Sequence, residues 1–443
     1  MSPRGGGGGG RPTPGKEYVV NRDDQSLEEI ETGAYGADSS GGGSSGPLMA
    51  ALGRTNSGVT TTKLKAGDRL IIPGKPPAMK LTGKDPDDIT IMVGGIEMPI
   101  ISAKIIRTLD TAVDGWSARI PWMPGDNADI DKVTRPYGYE RGSAYIGNEL
   151  QINGYLYTVS PEMTDKGMTK ELHGYSFTAN AVDSSAPPPY EINNNTLPQI
   201  AKYYCNLLGI DAVFQWDSGG KFDRATIRPG ETIFQFLSRL SAQRGGLVSC
   251  LPTGDMLFTQ ANPDSKPVGT VSEENPFAIG WKATYDGRKR FHAYRCITAG
   301  IKGRSATGPL MAALGNGAAK KTAAPTVVEF DKAVPIFRFQ TFHADNVTPG
   351  NVAQAARWRR NKQFVDTLTL PLPVAGWYAP DGSLWAPNTT LTVVSKTLGV
   401  GKGFTFIIRS VEFEYSDKKR TAVLHLVPPH AYTGKEIGDI WTY

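Results

Sequence analysis

Two stretches of this chain alternate apolar and polar residues, and the stretch between them repeats apolar residues at helical spacing. The alternation runs through residues 89–183 and again through residues 276–443, where it predicts antiparallel strands. Residues 184–275 contain the runs TLPQIAKYYCNLLG and TIFQFLSRL, whose apolar residues recur every three to four positions. The predicted fold class is therefore α+β and mainly β, with a small α/β middle domain between two β domains.

The boundary between the first β domain and the middle domain lies within residues 171–209. A strand-like run ends there in three prolines (187–189), which can join neither a strand ladder nor a helix. Asn195 is the predicted N-cap of the helix that follows, and Gly209 ends that helix. The first β domain therefore ends here and the α/β domain begins.

Four further segments are defined by their composition. Residues 1–16 are rich in Gly and Pro and predict a flexible tail, and residues 75–88 form a Pro- and Lys-rich linker. Residues 17–74 contain a strand, two helices and a strand in that order. Residues 303–325 are a Gly- and Ala-rich insertion within the second β domain, which is otherwise continuous from 276 to 443.

A long polar segment rich in Gly and Pro, residues 126–147, interrupts the first β domain. We expect a loop that contacts a neighbouring molecule, because a segment of this composition has no core of its own. Asp126, Asp129 and Asp131 lie in it, but their spacing lacks the central Gly and closing Glu of a calcium-binding loop. A solvated loop is the better interpretation of the three carboxylates.

The composition indicates a multidomain globular protein. A chain of 443 residues exceeds the size of one core, and its 51 Gly and 32 Pro favour turns and short strands over long helices. Its net charge of +5 is too small to argue for nucleic acid as a partner. No apolar run reaches the roughly 18 residues of a membrane span, and the N-terminus lacks a secretion signal, so we expect synthesis and storage in the cytosol until assembly.

The residues that carry enzyme chemistry do not form a recognisable constellation. Cys205, Cys250 and Cys296 are isolated and lack metal-type spacing, which favours buried thiols. The five histidines show neither HxxxH nor HExxH spacing, and the run GVGKG favours a hairpin turn over a nucleotide loop. Glu412 and Glu414 lie on one strand face as exposed or lumen-facing charges. We expect no enzyme activity, no cofactor and no metal site.

The runs GYSFTANAVDSSA and NNTLPQIAKYYCNLLGI carry a family resemblance, supported more diffusely over residues 89–432. They resemble the baseplate hub proteins of contractile-tailed phages, the Mu-type and gpD-like tail hub family. The resemblance implies two tube-type β-barrels flanking the middle domain, and a homotrimer that joins the six-fold tail tube to the three-fold central spike. It also implies contacts with baseplate wedge proteins and a channel for the tape-measure protein and DNA, in a virion tail baseplate assembled in the host cytoplasm.

Residues 17–74 resemble a LysM module. The residues that match its opening, middle and closing motifs are Tyr18, Val20, Tyr35, Gly36, Asn56, Leu64, Gly67, Leu70, Ile72 and Pro73. The resemblance implies a groove for N-acetylglucosamine sugars at Asp24, Gln25, Ser26 and Asn56. Two interpretations stay open, a module that docks on other baseplate proteins and a cell-wall protein that binds peptidoglycan.

The eight residues GPLMAALG occur twice, at 46–53 and again at 308–315. Each copy has Pro at the start and Gly at the end of a short helix with one apolar face. A single helical turn is marginal in water and needs a partner surface. We expect Leu310, Met311 and Leu314 to dock on another subunit or a peripheral protein, and a duplicated linker fragment is the alternative.

Overall fold

The computed structural model describes residues 17–19, 69–71, 79–165, 167–274, 278–280, 282–298, 326–344, 352–417, 419–437 and 440. Most of the described elements are strands. The strands are β1 (Glu17–Val19), β2 (Arg69–Ile71), β3 (Ile89–Val93), β4 (Ile96–Glu97), β5 (Ser102–Thr108), β6 (Gly115–Pro121), β7 (Arg141–Ile146), β8 (Glu149–Thr164), β9 (Gly167–Ser176), β10 (Glu191–Asn195), β11 (Ala212–Phe214), β12 (Phe222–Thr226), β13 (Leu247–Cys250), β14 (Met256–Thr259), β15 (Thr270–Ser272), β16 (Thr284–Tyr285), β17 (Ala293–Thr298), β18 (Thr326–Phe330), β19 (Phe339–Ala344), β20 (Leu368–Thr369), β21 (Pro371–Ala375), β22 (Thr390–Ser395), β23 (Val400–Ser416) and β24 (Lys419–Val427). The helices are α1 (Ala128–Val133), α2 (Ala179–Asp183), α3 (Leu197–Leu207), α4 (Ile233–Gln243) and α5 (Val352–Val365).

The two outer strands of the predicted LysM-like segment pair with each other. β1 and β2 are antiparallel, with Tyr18 opposite Leu70. The two predicted helices between them lie outside the described residues. The LysM-like module therefore stays a prediction.

The prediction of two barrels that each close on themselves is wrong. Within the described residues, β3–β9 of the first segment and β21–β24 of the second lie in one sheet, whose main path runs β15-β22-β23-β5-β6-β9-β8-β7-β3-β4, with β24 on β23 and β21 on β24. The strands β16–β20 of the second segment form two smaller sheets. A barrel closes only when its two edge strands pair with each other. Here the edge strand β5 of the first segment pairs instead with β23 of the second.

β23 can join the two segments because it is long enough to have different partners along its length. Its first half, to Ile407, pairs with β22, and its second half, from Ser410, pairs with β5 on one edge and β24 on the other. The β23–β24 register shifts between Ile408 and Ser410, which marks a bulge. The sheet branches at this bulge.

One hydrophobic core lies under both segments. Ile105 and Trp116 of the first segment belong to the same buried cluster as Trp377, Phe413 and Leu424 of the second. Each of these side chains is at most 2% exposed. The two segments therefore share a core instead of enclosing one each.

The indole of Trp116 on β6 needs two glycines, Gly174 on the adjacent strand β9 and Gly142 on the more distant β7. A Cβ at Gly174 would lie 2.2 Å from the ring, and one at Gly142 would lie 2.5 Å from it. Real Cβ atoms do not approach other atoms so closely, so larger residues at either position would displace the indole. The alternation of the sequence predicted the strands around Trp116, but this packing appears only in three dimensions.

The middle unit (residues 178–260) contains the two predicted helices. α3 begins with a capping box of Thr196 and Gln199, and α4 begins with one of Thr232 and Gln235. Thr196 is therefore the N-cap of α3, and the prediction of Asn195 is wrong by one residue, because Asn195 still pairs with Phe222 in the β10–β12 ladder. β13 and β14 form an antiparallel hairpin, and β11 adds to it in parallel.

The segment between β6 and β7 is not the solvated loop that we expected. It contains α1, capped by the side chain of Asn127, and the helix buries Ile130 and Val133. Asp131 accepts hydrogen bonds from Trp122 Nε1 at 2.6 Å and from the backbone N–H of Gly125 at 2.9 Å. The segment is ordered because its own apolar residues reach the main core.

α5 lies within the second β segment and packs on a three-stranded sheet. In this small sheet (β17–β19), β17 pairs antiparallel with β18 and parallel with β19. Cys296 of β17 packs against Val352 and Ala356 of α5. The helix covers one face of the small sheet.

Candidate functional site

The open face of the small sheet is the largest concentration of exposed apolar side chains that the structure describes. Val328 is 38% exposed, Phe330 54% and Phe339 45%. Phe330 and Phe339 both stand opposite Ala293 in the register, so they lie on the face away from α5. Ile336 and Phe337, in the loop before β19, extend the patch, and Phe337 is 87% exposed. A contiguous exposed patch of this kind is typical of a protein interface.

Positive charges surround this open face. Lys289, Arg295 and Lys332 are exposed, and none of them forms an ion pair with a carboxylate within the described residues, although Lys289 lies near Asp286 and helps to lower its pKa. Arg295 stands between Val328 and Thr341 in the register, so it lies on the open face itself. The face therefore combines an apolar centre with unpaired cations, which favours an acidic partner surface.

A second exposed aromatic surface follows α1. Tyr137 has φ 59° and is 87% exposed, and Tyr139 has φ 48° and is 57% exposed. Bulky residues rarely adopt this left-handed backbone, and such strain is concentrated at functional sites. The loop holds two tyrosines outward at a local energetic cost.

Tyr139 belongs to a row of tyrosines. Its ring centroid lies 6.0 Å from that of Tyr157, which in turn lies 5.8 Å from Tyr175. Tyr157 donates a hydrogen bond to Asn180 Oδ1 at 2.8 Å. Burial raises the pKa of Tyr157 to about 12, so its hydroxyl stays protonated as a donor. Rigid amphipathic rings of this kind are suited to protein contacts.

Glu412 and Glu414 share one strand face, as predicted, but they are neither isolated nor simply exposed. Lys104 Nζ on β5 lies 2.5 Å from Glu412 Oε2 and 3.1 Å from Glu414 Oε1. His425 Nε2 on β24 lies 2.9 Å from Glu412 Oε1. The hydrogen bond from His425, with that from Lys104, lowers the pKa of Glu412 to about 2. This ionic row crosses the junction of the two β segments.

The middle unit docks on the main sheet through the β13–β14 hairpin. Ser249 Oγ donates to the carbonyl of Thr108 at 2.7 Å, and Asn153 Nδ2 donates to the carbonyl of Thr253 at 3.2 Å. Asp114 is 1% exposed beside this contact, and burial raises its pKa to about 6 although Arg107 opposes the shift. The contact is polar and specific, which holds the unit in one orientation.

A cavity of about 720 Å³ lies between β18, α5 and the C-terminal segment. Four of the charged residues that line it are paired with each other, with Arg290 Nη2 2.7 Å from Asp331 and Arg360 Nη1 2.9 Å from Glu329. Lys332 and Glu436 also line the cavity, so most but not all of its charge is neutralised within the wall.

Within the described residues, no group of three metal-ligating side chains lies together. His173 contacts Glu171, His292 contacts the carbonyl of Val334, and His425 contacts Glu412. Cys205, Cys250 and Cys296 are free and buried, and burial raises the pKa of each thiol. In the described part of the chain, no helix is both long and apolar enough to span a membrane.

The predicted site residues lie outside the described residues. This applies to the glycan-groove residues Asp24, Gln25, Ser26 and Asn56 and to the docking residues Leu310, Met311 and Leu314. Both copies of GPLMAALG also fall there. These assignments stay predictions.

Sequence reasoning missed both exposed surfaces. The runs TVVEF and IFRF lie in the segment 276–443, for which the sequence predicts strands but no exposed apolar face. A strand with apolar residues at both odd and even positions has two apolar faces, and a single covering helix leaves one of them open. That pattern was the available signal for the open face, whereas the strained tyrosines had none.

Comparisons with known proteins relate the chain to phage tail components. The family described as "Baseplate hub protein gp44-like, second domain" matches residues 178–260, which is the middle unit. Baseplate hub protein gp44 of Escherichia phage Mu is 26% identical over 253 residues, which cover 56% of this chain. The match spans 64% of the length of that relative.

Two solved structures share the fold. The 43 kDa tail protein of prophage MuSo2 from Shewanella oneidensis has a TM-score of 0.64 at 24% identity, covering 78% of this chain and 99% of that chain. The tail protein from Neisseria meningitidis MC58 has a TM-score of 0.64 at 18% identity, covering 78% and 98%. The chain is thus similar to a phage baseplate hub protein in sequence and to tail proteins in fold.

Proposed function

We propose that this chain is a structural, non-enzymatic baseplate hub of a contractile phage tail. It forms a homotrimer that joins the six-fold tail tube to the three-fold central spike and lines the channel for the tape-measure protein and DNA. The observation that carries the proposal is the match of the middle unit, residues 178–260, to the second domain of gp44-like hub proteins. The relative from phage Mu and the shared tail-protein fold support it.

The mechanism is symmetry matching. Each chain has two β segments, so three copies present six segments to a six-fold tube while the three middle units keep three-fold symmetry. The antiparallel pairing of β5 with β23, from Ser410 opposite Thr108 to Ser416 opposite Ser102, supports this by joining the segments into one sheet. The row of Lys104, Glu412 and His425 crosses the same junction. A rigid junction keeps the six segments at fixed spacing.

The middle unit would then face the spike. Its orientation depends on the part-buried hydrogen bonds that join the units, from Ser249 to Thr108 and from Asn153 to Thr253. Wedge proteins would surround the hub, with the N-terminal segment as a docking module. The place of action is the virion tail baseplate, after assembly in the host cytoplasm.

The test is electron microscopy of the purified full chain, alone and with a purified tail tube protein. We expect three-fold rings that cap one end of the tube. A chain that stays monomeric and instead binds peptidoglycan sacculi tightly would contradict the hub proposal and support a cell-wall-binding protein. A peptidoglycan pull-down of a variant lacking residues 1–74 is the matched control.

A further inference from the structure

The open face of the small sheet and an acidic edge elsewhere on the same chain have complementary chemistry. We propose that the open face of one copy binds the acidic edge of a second copy, head to tail. The open face consists of Val328, Phe330, Phe339 and the adjoining Phe337, with Lys289, Arg295 and Lys332 around them. The proposal rests on the proposed homotrimer, and it names the surfaces that hold the copies together.

The apolar centre of the open face supplies the driving force. Phe337 is 87% exposed, and the phenyl rings of Phe330 and Phe339 flank Ala293, which is itself 2% exposed. Buried aromatic residues at the centre of an interface carry most of its binding energy, and a polar rim orients the partner. The open face has both parts of this arrangement.

The acidic edge lies around the hydroxyl of Tyr378. That hydroxyl donates to the carbonyl of Pro86 at 2.9 Å. The backbone N–H of Gly147 donates to the carbonyl of Asp88 at 2.7 Å, and that of Lys84 donates to Asn148 Oδ1 at 3.1 Å, so the turn that carries Asp85 and Asp87 lies beside Glu149. All three carboxylates are exposed, and none forms an ion pair with another described residue. Arg420 lies at the same edge, where its Nε donates to the carbonyl of Asp87 at 2.6 Å, but the carboxylates outnumber it. This excess of negative charge matches the cations around the phenylalanines.

The two surfaces lie at opposite ends of the chain segment that contains β20 and β21. The small sheet adjoins the β16–β20 end, where the backbone N–H of Asp286 donates to the carbonyl of Thr367 at 2.8 Å. Tyr378 follows the far end of β21. The strand path from β20 to the end of β21 spans roughly 23 Å at the usual rise per residue. One copy therefore cannot satisfy its own open face with its own acidic edge.

Unlike surfaces at opposite ends of a subunit produce a heterologous contact, which closes into a ring when the rotation fits. An isologous contact would bring two sets of cations together across the apolar centre, and this repulsion is unfavourable. The charge pattern therefore favours a ring of copies over a two-fold dimer.

The same cations favour a protein partner over nucleic acid. Three arginines near the patch are already engaged: Arg288 with Asp286, Arg290 with Asp331, and Arg338 with the carbonyl of Gly287. Among the described residues around the patch, this leaves Lys289, Arg295 and Lys332 for a phosphate backbone, which is bound through many such contacts.

The test uses sedimentation velocity of the full chain over a range of concentrations. One variant reverses the basic side (K289E/R295E/K332E), one reverses the acidic side (D85K/D87K/E149K), and a third carries all six changes. Each triple variant should raise the dissociation constant of the trimer at least tenfold. The variant with all six changes should return the dissociation constant to the wild-type value, because the charges are complementary again. The matched control K202E/K221E/K266E, which reverses exposed lysines elsewhere, should leave the trimer unchanged.

The outcomes separate this inference from the proposed function. If the trimer persists in both triple variants, or if it does not form again in the variant with all six changes, the head-to-tail contact is overturned. The hub proposal is then unaffected. A wild-type chain that is monomeric throughout overturns both. Binding of single-stranded DNA that is lost in the basic variant while the trimer persists assigns the face to nucleic acid instead. The single variant F337S, at an 87% exposed position, repeats the test if a triple variant misfolds.

Discussion

The middle unit and the small sheet both combine a three-stranded sheet with helices, yet they bury their side chains very differently. In the middle unit, Tyr204, Phe236 and Phe258 are fully buried under α3 and α4. The other face of the β13–β14 hairpin is covered too, because Leu247 packs with Leu109 and Tyr432 beside the main sheet.

The small sheet has a cover on one face only. α5 buries Cys296, while Phe330 and Phe339 remain about half exposed on the other face. A sheet with both faces covered gains its stability within the chain. A sheet with one open apolar face leaves apolar surface that only a partner molecule can bury. The comparison therefore separates residues that stabilise the folded chain from residues that bind a partner.

The largest expected difference between the two regions lies in their phenylalanines. Phe236→Ala should lower the free energy of unfolding by about 3–5 kcal/mol, because it removes a buried ring and leaves a cavity. Phe337→Ala should change it by less than about 0.5 kcal/mol, because the ring is mostly in water. Urea denaturation of the isolated chain measures both, and equal costs would show that the small sheet is closed in solution.

A second difference concerns buried ion pairs. Glu231 accepts hydrogen bonds from Arg239 Nε at 2.8 Å and Nη2 at 2.9 Å and from the backbone N–H of Arg228 at 2.9 Å. Glu231→Gln should cost about 3 kcal/mol at pH 7, because it leaves a poorly exposed arginine without its partner. The matched change beside the small sheet, Asp286→Asn, should cost clearly less, because its partner Arg288 is 87% exposed and water screens the pair.

The pH dependence of that cost checks its cause. Burial by itself would raise the pKa of Glu231, but the hydrogen bonds from Arg239 and from the backbone of Arg228 lower it below its ordinary value of 4.5. A lowered folded-state pKa means that the stabilisation is present above pH 4.5 and is lost as the pH falls through the lowered value. The difference between the wild type and Glu231→Gln should therefore shrink in acid, and a difference independent of pH would point to packing instead.

The smallest predicted difference is in local opening. Cys296 is covered by little more than Val352 and Ala356, whereas Cys205 lies in the continuous core of the middle unit. Local opening should expose Cys296 more often, so a thiol reagent at pH 8 should label it at least tenfold faster than Cys205. Peptide mass spectrometry after timed labelling measures both rates. Faster labelling of Cys205 would reverse the stability order of the two regions.

The helices of the middle unit were predictable because their signals are local. The spacing of Ile200 and Tyr204 marks an apolar face, and periodicity needs no knowledge of the partner that covers it. The N-cap was misplaced by one residue because Asn195 and Thr196 are both good capping residues. The choice depended on β10, whose ladder extends through Asn195.

The barrels could not be predicted correctly because alternation reports which side chains share a face and not which strand lies alongside. Thr108 and Ser410 are partners across most of the chain, and no local pattern in either strand indicates the other. The same limit hid the open face of the small sheet, since Phe330 and Phe342 have similar sequence settings but opposite exposure to α5.

The sequence by itself determined the type and order of the elements, because hydrophobic period, capping residues and prolines act within a few residues of each other. It also determined the resemblance to hub proteins around the start of the middle unit. Only the tertiary structure decided that β5 and β23 join the two β segments, that Trp116 packs against Gly142 and Gly174, and that the phenylalanines of the small sheet remain open. Strand pairing at sheet edges and side-chain burial both depend on residues that are far apart in the chain. These contacts contribute to stability only after the chain has folded and brought the residues together.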